Sequence, residues 1–231
     1  MDFSENYSFV IQNEAQGYHW THGNCTVCPA IIYFKHGTSD QPLSVSSHCY
    51  LSDDLDHDVS MVYKYQQLLM QYINEHIPTV KNIHYFTDGC AAQYKNCKTF
   101  LNLCHHKDDF GLSATWSFFA TSHGKSACDG IGGTVKRLTT KASLQHPFQD
   151  QIITVKDMFA YCITNISNIK FHYVEKREID VIRQTLNTRY AMAKTIPGTR
   201  GFHSFSPLSF CEIGVKRTSQ QETFSLIFNF D

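Results

Sequence analysis

The stretch from Ile83 to Gly89 constrains the fold more than any other, because an apolar run stops at an acid that glycine follows. Such a pattern is typical of a buried strand that carries a carboxylate, Asp88, to the edge of a sheet. A second acid, Asp129, follows the strand-like run 115–120 and opens a helical pattern. The two acids are 41 positions apart (129 − 88), which is room for one helix and one strand.

Hydrophobic periodicity predicts the order β-β-β-α-β-α-β-α over the first part of the chain. This order is that of a ribonuclease-H-like α/β domain, in which a mixed five-stranded sheet places the first strand beside the fourth. The run 18–28 is predicted to be a turn-rich bend, and 36–40 a hairpin turn. The predicted later elements are strands 30–35, 43–51, 81–88 and 114–120 and helices that begin near 52, 96 and 131.

Pro147 marks a break after the last of these helices, so we expect two domains. Residues 1–147 form the ribonuclease-H-like core and 148–231 a C-terminal α/β extension. The first strand is expected to be truncated, since only Met1 precedes the acid Asp2 and strands usually need about five residues. The alternative is that residues 3–11 supply this strand.

The 231 residues are 42% hydrophobic and 18% charged, enough to bury a core. The net charge of −1 argues against a strongly basic nucleic-acid binder, so any DNA contact must come from local patches. Nine cysteines, an odd number, and an N-terminus without an apolar leader favour a reduced intracellular compartment, nuclear or cytoplasmic, over secretion. No apolar run approaches the ~20 residues that span a bilayer.

Three acids, Asp2, Asp88 and Asp129, are of the type that two-metal phosphoryl transfer requires. In that chemistry, carboxylates on rigid elements hold two ions about 3.5–4 Å apart, and these stabilise the attacking and leaving oxygens. Mg²⁺ favours oxygen ligands and keeps several waters, so three acids suffice. The alternative is that Asp88-Gly89 is a turn and Asp129 an ordinary acid at a helix start.

Four segments together resemble a group of transposon-derived proteins found in invertebrate genomes. The segments are Asp2–Tyr7, Asp88–Asn96, His123–Lys125 and Asp129–Arg137, and the likeness extends to about residue 205. The acids of that group are similar in placement to the DDE motif of cut-and-paste transposases and retroviral-type integrases. The chain departs from the pattern in its missing lead-in to Asp2.

The resemblance implies a DDE-type catalytic core, or its remnant, that cleaves and transfers DNA strands. It implies Asp2, Asp88 and Asp129 as catalytic residues and as ligands of two Mg²⁺ or Mn²⁺ ions, with Glu5 as a substitute for Asp2. The implied partners are transposon ends and target DNA, and a homo-oligomer is left open. Two alternatives remain: an inert nuclear DNA- or protein-binding module, and a stand-alone nuclease of the same fold.

Local positive charge surrounds two of the acids. Four cations against Asp129 give +4 − 1 = +3 over residues 125–141. Such flanking suits phosphate neutralisation, although a solvated helix face has the same composition. The predicted DNA-binding residues are Lys95, Lys98, Lys125, Lys136, Arg137 and Lys141.

Four further patterns carry less specific predictions. The run before Ser126 is not a P-loop, because Phe119 stands where that motif needs its first glycine. Gly130, Gly132 and Gly133 indicate either close backbone approach or a loop before a helix that begins at Thr134. Zinc binding by the group His19, His22, Cys25 and Cys28 is left open, because a lone Cys-x-x-Cys is a weak signal. We expect Cys90, Cys97 and Cys104 to be small buried residues.

Overall fold

The structure, a computed structural model, describes residues 1–10, 23–36, 42–119, 126–145, 147 and 151–231. It is a mixed α/β protein with a four-stranded and a five-stranded sheet. The chain divides into two compact units that are interleaved along the sequence. Unit 1 comprises the described residues of Met1–Asp56 and Lys125–Glu178, and unit 2 those of His57–Gly124 and Ile179–Asp231.

The sheet of unit 1 has the order β1-β2-β3-β6. Strand β2 (Asn24–Phe34) pairs antiparallel with β3 (Ser44–Ser52), in register from Thr26 opposite Ser52 to Phe34 opposite Ser44. Strand β6 (Lys170–Val174) runs parallel to β3 on its other side, and β1 (Tyr7–Ser8) runs antiparallel to β2.

Two helices pack on this sheet, α3 (Ala127–Gln145) and α4 (Val155–Asn165). Residues two apart on a strand share a face, and Cys25 and Val27 of β2 accordingly reach the same core. Helix α4 begins with a capping box in which Thr154 and Asp157 bond each other's backbone N–H groups. The core of unit 1 also contains Cys49, Leu51, Val135, Ala142, Met158 and Cys162.

Unit 2 is built on the parallel pair β4 (Asn82–Thr87) and β5 (Ser113–Phe118), joined by α2 (Cys97–Phe110). Three antiparallel strands extend this sheet in the order β4-β5-β7-β8-β9. They are β7 (Ser204–Pro207), β8 (Glu212–Lys216) and β9 (Leu226–Asn229). Its other elements are α1 (Val59–His76), the part of α5 (Lys176–Thr185) from Ile179 onward, α6 (Asn187–Ala191) and a 3₁₀ turn at Thr199–Gly201.

Aromatic side chains from helix α2 and the sheet form the centre of unit 2. Phe100 of α2 stacks on Phe205 of β7 with ring centroids 4.0 Å apart. The indole N–H of Trp116 donates to Thr87 Oγ1 at 2.9 Å. Among the described residues, no helix is long and apolar enough to cross a membrane.

The predicted α/β class is confirmed, whereas the single five-stranded ribonuclease-H-like sheet is not. Predicted strands 43–51 and 81–88 lie in different sheets, and the outer edge of β3 is paired with β6, a strand beyond residue 147. Helix α4 and strand β6, which the sequence analysis assigned to an extension beyond residue 147, belong to unit 1. Periodicity identifies a strand but not its partner, and these partners are more than a hundred residues apart.

Several local predictions also differ from the structure. Residues 24–28, predicted to be part of a bend, form the start of β2, while the predicted turn residues 37–40 lie outside the described residues. Residues 3–11 supply the first strand in part, as β1, with Ile11 itself outside the described residues. Helix α3 begins at Ala127, so the prediction of a loop up to Thr134 was wrong.

Candidate functional site

Asp88 lies directly after β4, at the carboxyl end of the parallel pair in unit 2. Its Oδ1 accepts a hydrogen bond from the backbone N–H of Cys90 at 3.1 Å, which is an Asx turn. Lys95 returns to this loop, since a Cβ placed on Gly89 would be 3.6 Å from Lys95 Cδ. The turn that the sequence allowed as an alternative at Asp88-Gly89 is therefore present, and it uses one oxygen of the carboxylate.

Asp129 lies in the first turn of α3, in unit 1, and its side chain is exposed. Its Oδ2 accepts a hydrogen bond from the backbone N–H of Ser126 at 2.8 Å. An acid at this position also suits the positive end of the helix dipole. The local role that the sequence allowed as an alternative is thus present here too.

The N-terminal segment that carries Asp2 and Glu5 runs along β2. The backbone N–H of Asp2 donates to Pro29 O, and that of Ser4 donates to Val27 O, both at 3.0 Å. Pro29 has no N–H with which to return the bond to Asp2, and regular pairing with β2 is seen for β1, Tyr7–Ser8. These two backbone hydrogen bonds hold the segment that carries Asp2 and Glu5 against β2.

Helix α3 meets this segment at Gly132. A Cβ on Gly132 would lie 3.1 Å from Ser4 Oγ, closer than side chains normally pack, and in ordinary contact with Pro29 Cγ at 3.5 Å. The Lys136 ammonium, one turn further along, donates to the backbone carbonyl of Glu5. The close approach to the sheet that was predicted for three glycines is present at Gly132, whereas a Cβ on Gly130 or Gly133 would meet nothing within 4 Å. Segment 2–5 and the first turns of α3 therefore lie together.

Three of the four predicted ligands, Asp2, Glu5 and Asp129, thus belong to two adjoining segments of unit 1, whereas Asp88 belongs to unit 2. Within the part of the chain that the structure describes, no group of three or more His, Cys, Asp or Glu residues is placed to hold a metal ion. The metal ligands predicted from the sequence therefore stay a prediction.

The predicted DNA-binding cations are distributed over both units. Lys95 Nζ lies 5.2 Å from the centroid of the Phe118 ring, and burial lowers its pKa. Burial also lowers the pKa of Lys136, against the opposing effect of the Glu5 carboxylate. Lys98 lies over the Tyr190 ring, Arg137 and Lys141 are exposed on α3, and Lys125 is outside the described residues.

Two of the four predicted zinc ligands belong to the described residues. Cys25 and Cys28 are fully buried in β2, and burial raises the pKa of the Cys25 thiol to about 12. Zinc binds the thiolate, which this surrounding disfavours. His19 and His22 lie outside the described residues. Of the cysteines expected to be buried, Cys104 is buried, while Cys90 and Cys97 are half-buried.

Sequence reasoning missed two features. The first is that Phe86 and Phe119 expose their rings beside Asp88. The available signal was the consecutive aromatic pair Tyr85-Phe86, at a place where a strand with one buried face would alternate apolar and polar residues. His48 Nδ1 and His172 Nε2 lie 3.0 Å apart, joining β3 to β6. No spacing in the sequence could reveal this pair, because its members are 124 residues apart.

Comparisons with known proteins place the chain in a family. Neither curated proteins nor solved structures gave a match. A family model described as a domain of unknown function, DUF8701, matches residues 1–219. Because this match covers most of the 231 residues, the chain belongs to the DUF8701 family.

Proposed function

We propose that this chain is a DDE-type transposase- or integrase-like core of ribonuclease-H-like descent, which cleaves and transfers DNA strands with divalent metal ions. The observation that carries the proposal is the contact of segment 2–5 with the first turns of α3. It brings together two stretches that the resemblance identifies as ligand-bearing, at Gly132 and Lys136. The parallel β4–α2–β5 unit, with Asp88 at the end of β4, supports it as well.

The proposal assigns two Mg²⁺ or Mn²⁺ ions to Asp2, Asp88 and Asp129, with Glu5 as a substitute ligand for Asp2. Carboxylate oxygens are the ligands that these ions prefer, and the ions would activate water or a 3′-hydroxyl for attack on phosphorus. The local hydrogen bonds of Asp88 and Asp129 each use one carboxylate oxygen. Since the described residues contain no preassembled group of three such side chains, the ions are the part of the proposal to test first.

Asparagine substitutions separate metal binding from the local structural roles. Asp88→Asn and Asp129→Asn keep an oxygen for the N–H groups of Cys90 and Ser126 but remove the charge that binds a cation. We expect titration calorimetry to show Mn²⁺ binding to the wild-type chain, weakened about tenfold or more by either change or by Asp2→Asn. Absence of Mn²⁺ binding, or binding unaffected by all three, would contradict the proposal.

Asp157→Asn is the matched control. Asp157 is also an acid in the first turn of a helix of unit 1, and its Oδ2 accepts the N–H of Thr154 at 3.0 Å. Because the proposal gives it no metal, its substitution should leave the Mn²⁺ titration unchanged. A gel assay on labelled DNA ends then distinguishes strand transfer from nicking alone, which a stand-alone nuclease would give.

One observation favours a second candidate, an inert DNA- or protein-binding descendant that keeps the fold. Asp88 and Asp129 both satisfy backbone N–H groups, so both acids have a structural reason to be present without any chemistry. In that case the chain would bind DNA or protein with no requirement for Mn²⁺. The same calorimetry decides between the two.

A further inference from the structure

Two phenylalanine rings are exposed at the carboxyl ends of the adjacent strands β4 and β5. Phe86 is 50% exposed and Phe119, one residue past β5, is 38% exposed. Their ring centroids are 6.1 Å apart and their planes are inclined by 33°. Phe86 lies on the opposite face of β4 from the buried Tyr85 and Thr87, so its ring has no part in the core beneath.

The backbone under these rings is held firmly. The N–H of Phe119 donates to the carbonyl of Thr87 at 3.0 Å, which ties the end of β5 to the residue before Asp88. The side chain of Thr87 in turn accepts the indole N–H of the buried Trp116. Rings presented from such a scaffold lose little conformational entropy when a ligand covers them.

Positive charge lies at the same end of the two strands as the rings. Lys95 lies against Gly89, the residue after Asp88, and its ammonium lies over the buried ring of Phe118, which shares the face of Thr87 and not that of Phe86. That ammonium also donates to the backbone carbonyl of Arg200, whose own side chain is exposed. Proteins that bind single-stranded nucleic acid combine exposed aromatic rings, on which bases stack, with cations that contact the phosphates. Here the rings and the two cations lie at the same, carboxyl end of the parallel strands.

We propose that Phe86 and Phe119 form a stacking platform for unpaired bases of a DNA strand, with Lys95 and Arg200 on its phosphates. The two rings already touch each other, so a base stacks on an open ring face and does not insert between them. A duplex hides its base faces within its own stack, so the platform selects single strands. The choice of DNA rests on the proposed function, but the stacking itself requires neither metal nor cleavage.

The test is fluorescence anisotropy with the full chain in EDTA, using a labelled oligothymidylate and a duplex of the same length. We expect the double variant Phe86→Leu/Phe119→Leu, which keeps apolar bulk but removes the rings, to raise the Kd for the single strand about tenfold or more. Lys95→Gln should weaken binding and lower its dependence on salt.

Phe210→Leu is the matched control, because Phe210 is a 59% exposed ring of the same unit that lines a cavity with Asn82 and Ser113, at the amino ends of β4 and β5. It should leave the Kd unchanged. The inference is overturned if the wild-type chain does not bind the single strand, if the double variant binds it as tightly as wild type, or if Phe210→Leu weakens it equally.

The two proposals fail separately. Ring-dependent single-strand binding by a chain that neither binds Mn²⁺ nor cleaves DNA would uphold the platform and reject the catalytic function. Metal-dependent cleavage by a chain whose affinity for single-stranded DNA is unchanged in Phe86→Leu/Phe119→Leu would uphold the catalytic function and reject the platform.

Discussion

At the scale of single residues, polar side chains in this protein support the backbone as much as they offer chemistry. Asp88 and Asp129 each hold a loop N–H, and the His48–His172 pair joins two strands. His48 is fully buried, its Nε2 is 3.1 Å from Ser46 Oγ, and the His172 ring stacks on Tyr50. Buried imidazoles of this kind make stability depend on pH.

The histidine pair should make the protein less stable in mild acid. Burial, helped by the charge of Lys170, lowers the pKa of His172 in the folded chain, while the unfolded value is near 6.5. The unfolded state therefore binds the proton first, so stability is complete above about pH 6.5 and falls as the pH drops toward the folded pKa. Urea unfolding at several values between pH 7.5 and 5 should show this fall.

His172→Phe provides the comparison for that titration. The new ring can still stack on Tyr50, but the bond from His48 is lost, so the free energy of unfolding at pH 7.5 should drop by about 1 kcal/mol. The fall with acid should be shallower than in wild type. Some of it should persist, because burial also lowers the pKa of His106. If the stability of His172→Phe fell with acid as steeply as that of wild type, His172 would not be a source of the pH dependence.

At the scale of secondary-structure elements, the glycines of α3 differ in what surrounds them. Gly132 faces Ser4 and Pro29, whereas a Cβ on Gly133 would meet nothing within 4 Å. Gly133→Ala should therefore stabilise the protein by about 1 kcal/mol through helix propensity alone. Gly132→Ala should instead destabilise it by about 1 kcal/mol, because Ser4 is held by its backbone bond to Val27. Thermal unfolding of the two variants measures the difference in Tm. Equal changes in Tm would show that segment 2–5 moves to accommodate the new methyl group at no cost in stability.

The start of α1 offers a second test at this scale. Asp58 Oδ1 caps the helix at the N–H of Met61, and its Oδ2 accepts from Arg183 Nε at 2.8 Å. Asp58→Ser should keep the cap and lose only the partly exposed ion pair, costing at most about 1 kcal/mol. Asp58→Ala should lose both and cost about 1 kcal/mol more. Denaturant unfolding resolves the two, and equal losses would mean that the cap contributes nothing.

The sequence predicted most elements but not how the strands are assembled. Strand β4 and helix α2 follow from an apolar run ending at Asp88 and from the cap at Asn96, which are local signals. Strand β7 was missed because its short, serine-rich sequence around Pro207 resembles a turn. For the candidate site, the two structural hydrogen bonds were predictable as the alternative reading of each acid. The contact between Ser4 and Gly132 joins residues too distant in sequence for any pattern to pair them.

At the scale of the whole molecule, each unit is assembled from two separate stretches of chain. We predict that fragment 1–147, the core suggested by the sequence alone, does not fold cooperatively. It lacks β6, the partner of β3, and the fully buried Met158 and Cys162 of α4. Circular dichroism through a urea gradient, with the full chain as reference, should show no sigmoidal transition.

The matched design joins residues 1–56 to 125–178 through a flexible linker, which restores all four strands of unit 1. This spliced chain should show a sigmoidal transition of its own. A cooperative transition in fragment 1–147, or none in the spliced chain, would contradict the division into interleaved units.

The late arrival of β6 has a consequence during protein synthesis. The hairpin β2–β3 leaves the ribosome 118 residues (170 − 52) before the strand that closes its edge. At 5–20 residues per second, this delay is roughly 6 to 24 s. For that time the β3 edge of the hairpin exposes unpaired backbone groups to other nascent chains, so this protein should need a chaperone on that edge while the ribosome finishes the rest.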